Sequence, residues 1–405
     1  MPHSARGHAA KPCASRRTGA GALMQRLFIN GKFCAQRLTG VQRVAWQQVS
    51  TLDQWLHDAA RGQATDAECA RLRSLGTVTL LCPPQAQAPA LQRVQVRRVG
   101  PPGLPLHLWE QIVLPLAARK GRLLSLAGSA PWWACAPAAT LHDAAVWDHP
   151  GAYHPLFVCW YRALFRRQAR VARPLLTVSA FSRQRLAACL HVPPERLVVV
   201  HNGADHLDAV NADDGLLARL GLSRGSYLLA VASANPTKNL DALVRAHGRW
   251  PAGEPPVLVI VGGCNPRVFS AGQAARGGAG VLRAGTVDDA GLKALYANAL
   301  GLVFPSVYEG FGLPPLEAMR LGCPVLAARA AAMPEVCGDA ALYFDPHDEE
   351  ALLQAMVRLA GEAPLRQRLQ AQGPRQAARY TWRASARALV DALAGPVAAA
   401  PGGCA

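Results

Sequence analysis

Residues 302–324 read LVFPSVYEGFGLPPLEAMRLGCP, and the order of residue types in them decides the fold. Leu302-Val303-Phe304 is an apolar run of strand length, ended by Pro305-Ser306. Glu309-Gly310-Phe311-Gly312 is too rich in glycine to be helical and reads as a loop. Pro314 and Pro315 fall where proline is tolerated, in the first turn of a helix that Gly322 stops. Strand, glycine loop and helix in that order aim unpaired backbone N–H groups and the positive end of a helix dipole at one point. An anion, most often a phosphate, is stabilised there. Two carboxylates belong to the same unit, Glu309 in the loop and Glu317 about a turn into the helix. Acids beside a phosphate cradle can hold sugar hydroxyls, so the unit points to a nucleotide-sugar site. An ordinary αβ crossover with a glycine turn would also contain GxG. The E-x7-E spacing, the aromatic between the glycines and the paired prolines distinguish this stretch from it.

The chain around it has 405 residues, enough for two domains with a core each. At 51% hydrophobic and 17% charged it has the composition of a globular protein rather than a disordered one. It contains no run of about eighteen apolar residues, so no transmembrane helix is predicted. Eleven cysteines without CxxC pairs or metal-ligand spacing, and no clear signal peptide, predict reduced thiols in a cytoplasm. The net charge of +17 is one-sided: residues 1–200 hold 25 Lys+Arg against 8 Asp+Glu, and residues 201–405 hold 18 against 18. A basic half beside a neutral one points to an anionic partner: a membrane surface, a lipid pyrophosphate or nucleic acid. The competing explanation is an Arg- and Ala-rich coding bias. The chain has no recognised nucleic-acid motif, and none is expected as a partner.

Residues 1–24 are small, polar and basic and are expected to be disordered, with a start at Met24 as a further expectation; the tail 396–405 is expected to fray. Strands are predicted at Arg26–Asn30, Thr77–Leu81, Arg93–Val99 and Arg122–Leu126, with a helix over Val41–His57 behind a turn at Thr39-Gly40. Strands separated by helical stretches without hairpin turns predict an α/β, parallel, doubly wound sheet. His142-Asp143 stands at the end of a further strand, where ligands gather in open α/β sheets. In Phe157–Arg173, Arg162, Arg166, Arg170 and Arg173 recur at helical spacing, a basic amphipathic face that could lie on an anionic membrane or be an ordinary solvated one. Leu175–Val178, a helix capped by Ser179 and the strand Arg196–Val200 complete the first half, with the boundary at about residue 210. The second half restarts with the strand Ser226–Ser233. Lys238 lies just past its end, before the helix Leu240–His247, and can reach a diphosphate as a point charge. Val257–Gly263 and Val281–Asp288 are further strands, followed by a helix over Leu292–Ala299. Val325–Ala328 is a strand, Ala332–Val336 a loop and Asp348–Gly361 a helix.

EGFGLPPLEAM at 309–319, GCPV at 322–325 and MPEVCGDAALYFDP at 333–346 resemble the donor-site signature of glycosyltransferase family 4. Those are retaining enzymes of the GT-B fold, two Rossmann-like domains facing a cleft. The resemblance is dense from about Val231 to Pro346 and recognisable back to Phe28. It implies an acceptor domain over 25–210, a donor domain over 211–380 and a terminal helix over 381–395 that crosses back. The hinge would lie near Ala204–Asn211, after the NG-x-D turn at Asn202. It assigns Glu309 to the donor-sugar hydroxyls, Glu317 to the ribose and His142 to the transferred sugar from across the cleft. Lys238 would take the leaving diphosphate with Gly310, Phe311, Gly312 and Leu313. The family pattern usually has Arg-Lys where this chain has Thr237-Lys238, so Lys238 bears more of that charge or an arginine elsewhere compensates. Gly40 stands for a richer glycine cluster in the first loop, and Glu335 for a support of the Gly loop. The chain has no Asp-x-Asp, so metal-independent catalysis without a cofactor is expected. The implied substrates are a GDP- or UDP-sugar and a glycan or polyisoprenoid-linked acceptor. Mannosyl transfer in polysaccharide or lipopolysaccharide assembly is expected, in the cytoplasm or at the inner face of the cell membrane. A nucleotide-sugar 2-epimerase shares the architecture, and a basic membrane- or nucleic-acid-binding module without catalysis is the reading from another class.

Overall fold

The structure, a computed structural model, describes residues 26–233, 235–251, 253–262 and 280–395; the segments 1–24 and 396–405 lie outside the described residues. Seven strands form the first sheet: β1 (Arg26–Asn30), β2 (Thr77–Cys82), β3 (Gln95–Arg98), β4 (Arg122–Ser125), β5 (Ala138–Thr140), β6 (Leu175–Thr177) and β7 (Leu197–Val199). Six form the second: β8 (Tyr227–Val231), β9 (Val257–Val261), β10 (Val281–Gly285), β11 (Gly301–Phe304), β12 (Val325–Ala328) and β13 (Ala341–Phe344). The orders are 3-2-1-4-5-6-7 and 10-9-8-11-12-13, and every pairing is parallel. The central strands are buried along nearly their whole length, as TVTLLC and VLVIV require of a sheet covered by helices on both faces. Each sheet reverses its winding once, between β1 and β4 and between β8 and β11. The chain leaves those strands to opposite sides and opens a crevice at their C-terminal ends.

The first domain's core is sealed by an element from the far end of the chain. Ala386, Leu389, Val390 and Leu393 of the terminal helix (Trp382–Ala394) pack with Val49, Leu52 and Trp55 of the first helix (Gly40–Ala60). Gln48 Nε2 donates to Ser385 Oγ at 3.2 Å, and Arg387 pairs with Glu68 at 2.6 Å. The outgoing and returning crossings lie against each other. Ala204 N donates to Tyr380 O (3.1 Å) and Trp382 N to Asp205 Oδ1 (2.7 Å). Past this point the outgoing segment is held by the second domain, with Lys293 Nζ donating to the carbonyls of Leu207, Asp208 and Val210.

The predicted strands fall in place. The strand β13, the short helices Ala145–Asp148 and Leu216–Arg219, and three longer helical stretches, Asp66–Ser74, 106–118 and Ala363–Ala377, had no counterpart in the sequence reading. The first of these longer stretches is announced by a capping box, Thr65 with Glu68, but has a weak apolar stripe. The last has Gly373-Pro374 inside it, residues that ordinarily mark a helix end. The glycine allows the backbone to lie against Met319. The expected loop at Ala332–Val336 is instead a short helix, Met333–Cys337, with Pro334 in its first turn. The helix expected from Leu292 begins at Asp289, where Asp288 caps it by accepting from Gly291 N at 2.9 Å. The Arg face expected on Pro155–Val171 is not uniform. Arg162 Nε bonds to Val146 O (2.9 Å) and Arg166 sits over the Trp147 ring, so these two are tied into the fold.

A Cβ on Gly203 would overlap Trp382 N and Cγ, where the two crossings touch. Gly203→Ala is expected to lower stability by about 2 kcal/mol or more, measured by chemical denaturation, because the return of the terminal helix cannot shift without exposing its apolar face.

Candidate active site

The winding reversal of the second sheet brings the ends of β8 and β11 side by side, and with them the two loops that carry Lys238 and Glu309. Asn235 starts the first loop: its Oδ1 accepts from Thr237 N (3.0 Å) and bends the chain into the turn Pro236–Lys238. Val307 N donates to Thr237 O at 2.9 Å and ties the second loop to it. Lys238 Nζ then lies 2.7 Å from Glu309 Oε1, both side chains largely shielded. Thr237, in the place of an arginine, is buried and acts here through its backbone.

The helix Leu313–Arg320 follows Gly312, whose φ of +98° lies in the region open to glycine and whose missing side chain leaves room for Met333 Cε. Phe311, Gly312 and Leu313 are buried, yet their N–H groups have no partner among the described residues. Prolines at 314 and 315 contribute no N–H. Buried, unpaired donors at a helix N-terminus beside a lysine form an anion site.

Gly310 presses on the first domain. A Cβ there would overlap His142 O and come within 2.9 Å of Asp143 Cβ. Its carbonyl accepts from Ser179 Oγ (2.6 Å) and Ser182 Oγ (3.0 Å), and Ser182 Oγ also lies 2.9 Å from His142 O. Tyr308 reaches the same wall, its hydroxyl accepting from Ala144 N at 3.2 Å. His142, just past β5, bonds through Nε2 to Leu126 O (2.8 Å). A carbonyl accepts only, so Nε2 bears the proton and Nδ1 is left as an acceptor. Burial pushes His142 down to about 4, which makes it a neutral hydrogen-bonding group at pH 7. Burial raises the neighbouring Asp143, against the pull of Lys238.

Glu317 lies deeper. Tyr296 donates to its Oε2 (3.0 Å), and His206 Nε2 stands 3.2 Å from Oε1. His206 Nδ1 accepts the Trp382 indole N–H at 3.2 Å, which puts the imidazole proton on Nε2, toward Glu317. Burial alone would raise this carboxyl, but His206, Arg43 and Tyr296 together hold it below its usual value. Arg43 crosses from the first helix to a bidentate pair with Asp289 at 2.9 and 2.6 Å.

The structure therefore brings Lys238, Glu309, Gly310, Phe311, Gly312, Leu313 and His142 to one seam, with Glu317 behind them. Gly40 opens the first helix and is exposed, with nothing within 4 Å of where a Cβ would stand. The tightly packed glycine of that loop is Gly31, where a Cβ would meet Leu81 O at 2.5 Å. Glu335 does not support the Gly loop, which rests on Met333 and on Ala332 N. Instead it caps the helix Ala180–Leu190 of the other domain, accepting from Ala180 N (2.8 Å) and Phe181 N (2.9 Å), with His201 at 3.3 Å. Sequence reasoning also missed the first sheet's crevice. There Lys32 Nζ donates to Glu110 Oε2 (2.6 Å), and Asn30 and Ser129 donate to Oε1 (2.8 and 2.7 Å). The signal was available, since Lys32 follows β1 as Lys238 follows β8.

Two facing parallel sheets with an anion site on one inner edge define the GT-B class of fold. Residues 65–206 match the family described as "Glycosyltransferase Family 4", and residues 225–362 match "Glycosyl transferases group 1". The chain belongs to glycosyltransferase family 4. It is 32% identical over 254 residues to O-antigen chain mannosyltransferase B of Escherichia coli, covering 60% of this chain and 66% of that one. To MMP alpha-(1->4)-mannosyltransferase of Mycolicibacterium hassiacum it is 34% identical over 242 residues, 57% of each chain. It thus spans less than two thirds of either relative's length. Sucrose-phosphate synthase from Thermosynechococcus elongatus superimposes with a TM-score of 0.70 at 19% identity, covering 91% of this chain and 98% of that one, which is a likeness of fold.

Gly310→Ala is expected to lower glycosyl transfer at least about a hundredfold while leaving the chain folded, because the loop must back away from His142. Steady-state rates beside thermal midpoints check this. A pH dependence belongs to Glu335. Burial raises it, but His201 and two backbone N–H groups bring it below its ordinary 4.5. Its contribution to the seam is fully present above about pH 4.5 and is lost as pH falls through the lower folded value. Wild-type stability minus that of Glu335→Gln, followed by denaturation from pH 7 to acid, is expected to shrink over that window.

Proposed function

We propose that this protein is a retaining, metal-independent hexosyltransferase. It would move mannose from a nucleotide sugar, GDP- or UDP-linked, to a glycan or polyisoprenoid-linked acceptor in surface polysaccharide or lipopolysaccharide assembly, at the cytoplasmic face of the membrane. The observation that carries this reading is Lys238 beside Glu309, on a crevice edge with unpaired N–H groups at 311–313 and neutral His142 opposite. The names of the two mannosyltransferase relatives support the sugar.

In such a transfer negative charge grows on the departing diphosphate while positive charge grows at the anomeric carbon. Lys238 and the N–H groups of Phe311, Gly312 and Leu313 stabilise the first. No Asp-x-Asp occurs to hold a metal ion on the diphosphate, so these cations and dipoles supply the stabilisation. Glu309 accepts from hydroxyls of the transferred sugar and keeps a negative charge near the developing cation. Lys238 balances Glu309 before the donor arrives and takes the diphosphate when it does. His142, uncharged, orients the sugar without drawing the diphosphate away from Lys238. Glu317, held ionised by its neighbours, accepts from the ribose hydroxyls. The chain crossings near Ala204–Asn211 and Arg379–Thr381 serve as a two-stranded hinge, and closure at Gly310 excludes water that would hydrolyse the donor.

The test is release of nucleoside diphosphate from GDP-mannose and UDP-glucose with a lipid-linked or oligosaccharide acceptor, with and without EDTA. Turnover of GDP-mannose unaffected by EDTA is expected, with Lys238→Ala and Glu309→Ala each reduced about a hundredfold or more. Dependence on a divalent ion would overturn the metal-free mechanism, and wild-type rates in both variants would overturn the site.

A further inference from the structure

Eight large apolar side chains stand in solvent among the described residues, and six of them lie on three neighbouring segments: Leu108, Ile112 and Leu116 on helix 106–118, Trp133 in the loop after β4, and Leu156 and Trp160 on Pro155–Val171. Scattered singly they would need no explanation. These are joined. Leu108, Ile112 and Leu116 recur every fourth residue along one ridge of a helix whose other side, Trp109, Glu110 and Leu114, is buried. Gln111 fastens the 130–132 loop to that helix, donating to Ala130 O (3.4 Å) and accepting from Trp132 N (2.7 Å). Trp132 in turn stacks on Trp160, with ring centroids 6.0 Å apart and planes 29° from parallel. Three elements thus meet edge to edge along an apolar surface on which Trp133 is 78% exposed, Leu156 76% and Leu116 64%.

The charges on these elements have one sign. Residues 106–120, 126–137 and 155–173 contain seven arginines and lysines and a single acid, Glu110, which is buried against Lys32. Arg119 and Lys120 follow the Leu116 end of the ridge, and Arg170 continues the helix beyond Trp160, all exposed. The topology fixes where this surface lies. In a parallel sheet the segments after β3, β4 and β5 leave from the C-terminal edge, which is the cleft edge. His107, beside Leu108, lies 3.4 Å from Lys32 just past β1, so the surface borders the first domain's wall of the cleft. Among the described residues no helix is long and apolar enough to cross a membrane.

We propose that this composite face docks on an anionic lipid bilayer. The leucines, the isoleucine and the tryptophans enter the boundary between headgroups and acyl chains, and the flanking arginines and lysine bind headgroup phosphates. Neither half suffices: apolar contact alone would not select anionic lipid, and Arg-rich ends alone would be released by salt. The docking deepens the transferase reading, since it sets the acceptor side of the cleft at the surface where a lipid-linked acceptor is embedded.

The full chain, without any sugar nucleotide, is floated with vesicles of phosphatidylcholine mixed with phosphatidylglycerol and with vesicles of phosphatidylcholine alone. Co-flotation with the mixed vesicles is expected, and much less with phosphatidylcholine. Ile112→Ser combined with Trp133→Ser should lower the partition coefficient about tenfold or more at an unchanged thermal midpoint. Leu116→Ser combined with Leu156→Ser, on helix 106–118 and on Pro155–Val171, should do the same. Failure of the wild type to float with mixed vesicles, or wild-type partition in both double variants, overturns the proposal. So does a lipid-free dimer that both double variants convert to monomer, which would make the face a contact between copies. Donor turnover on a soluble oligosaccharide acceptor, measured separately, is expected to be unchanged in these variants. The transferase reading can therefore fail while vesicle binding stands, and the reverse.

Discussion

Gly310 has room for a hydrogen atom and nothing larger, and the arrangement of the site depends on that fit. The loop Glu309–Gly312 can rest against His142 and Asp143 only because no side chain intervenes. Once there, its carbonyl is held by two serine hydroxyls of the other domain. Ser179 does a second task, capping the helix Ala180–Leu190 through Ser182 N at 3.0 Å. Glu335 covers the N–H groups that remain at that helix start. One small contact thus links the anion-binding end of a helix in one domain to the capped end of a helix in the other. Their relative position is set by satisfied backbone hydrogen bonds rather than by shape alone.

The two crevices are built alike and used differently. In each, a lysine follows the first strand of its sheet and meets a glutamate: Lys32 with Glu110, Lys238 with Glu309. The first pair is fully enclosed, and hydroxyl and amide groups of Asn30 and Ser129 satisfy its remaining capacity, as burial of two charges demands. It acts as a fixed polar post. The second pair is partly accessible, and the N–H groups beside it are unpaired among the described residues, so it can exchange partners when an anion arrives. That difference in solvation separates an ion pair fixed within the fold from one open to exchange.

Much of this was legible in the sequence because it is local. The strand–loop–helix of 302–324 follows from apolar runs, glycine conformations and proline tolerance, all set by a residue and its near neighbours. Parallel winding followed from strands alternating with helices. Lys238 and Glu309 could be named from their places past strand ends. What was misread depends on distant partners. Glu335 looks like part of the donor loop because it is close in sequence, but its hydrogen bonds go to residues 155 positions away. The helix Ala363–Ala377 contains Gly and Pro that propensity disfavours, and packing of Gly373 on Met319 outweighs it.

The sequence by itself determined the second domain's strand–loop–helix unit, the class of fold and the placing of Glu309 in the loop and Glu317 in the helix after it. Backbone sterics, dipoles and periodicity act over a few residues and need no knowledge of the rest. Only the tertiary structure decided that His142 is neutral, that Glu317 is held ionised by His206 and Tyr296, and that exposed apolar residues from three separate segments form one face. Each of these depends on burial and on groups brought together by two crossings of the chain. Electrostatic environment and surface continuity are properties of that assembly, and they cannot be read from any one stretch of residues.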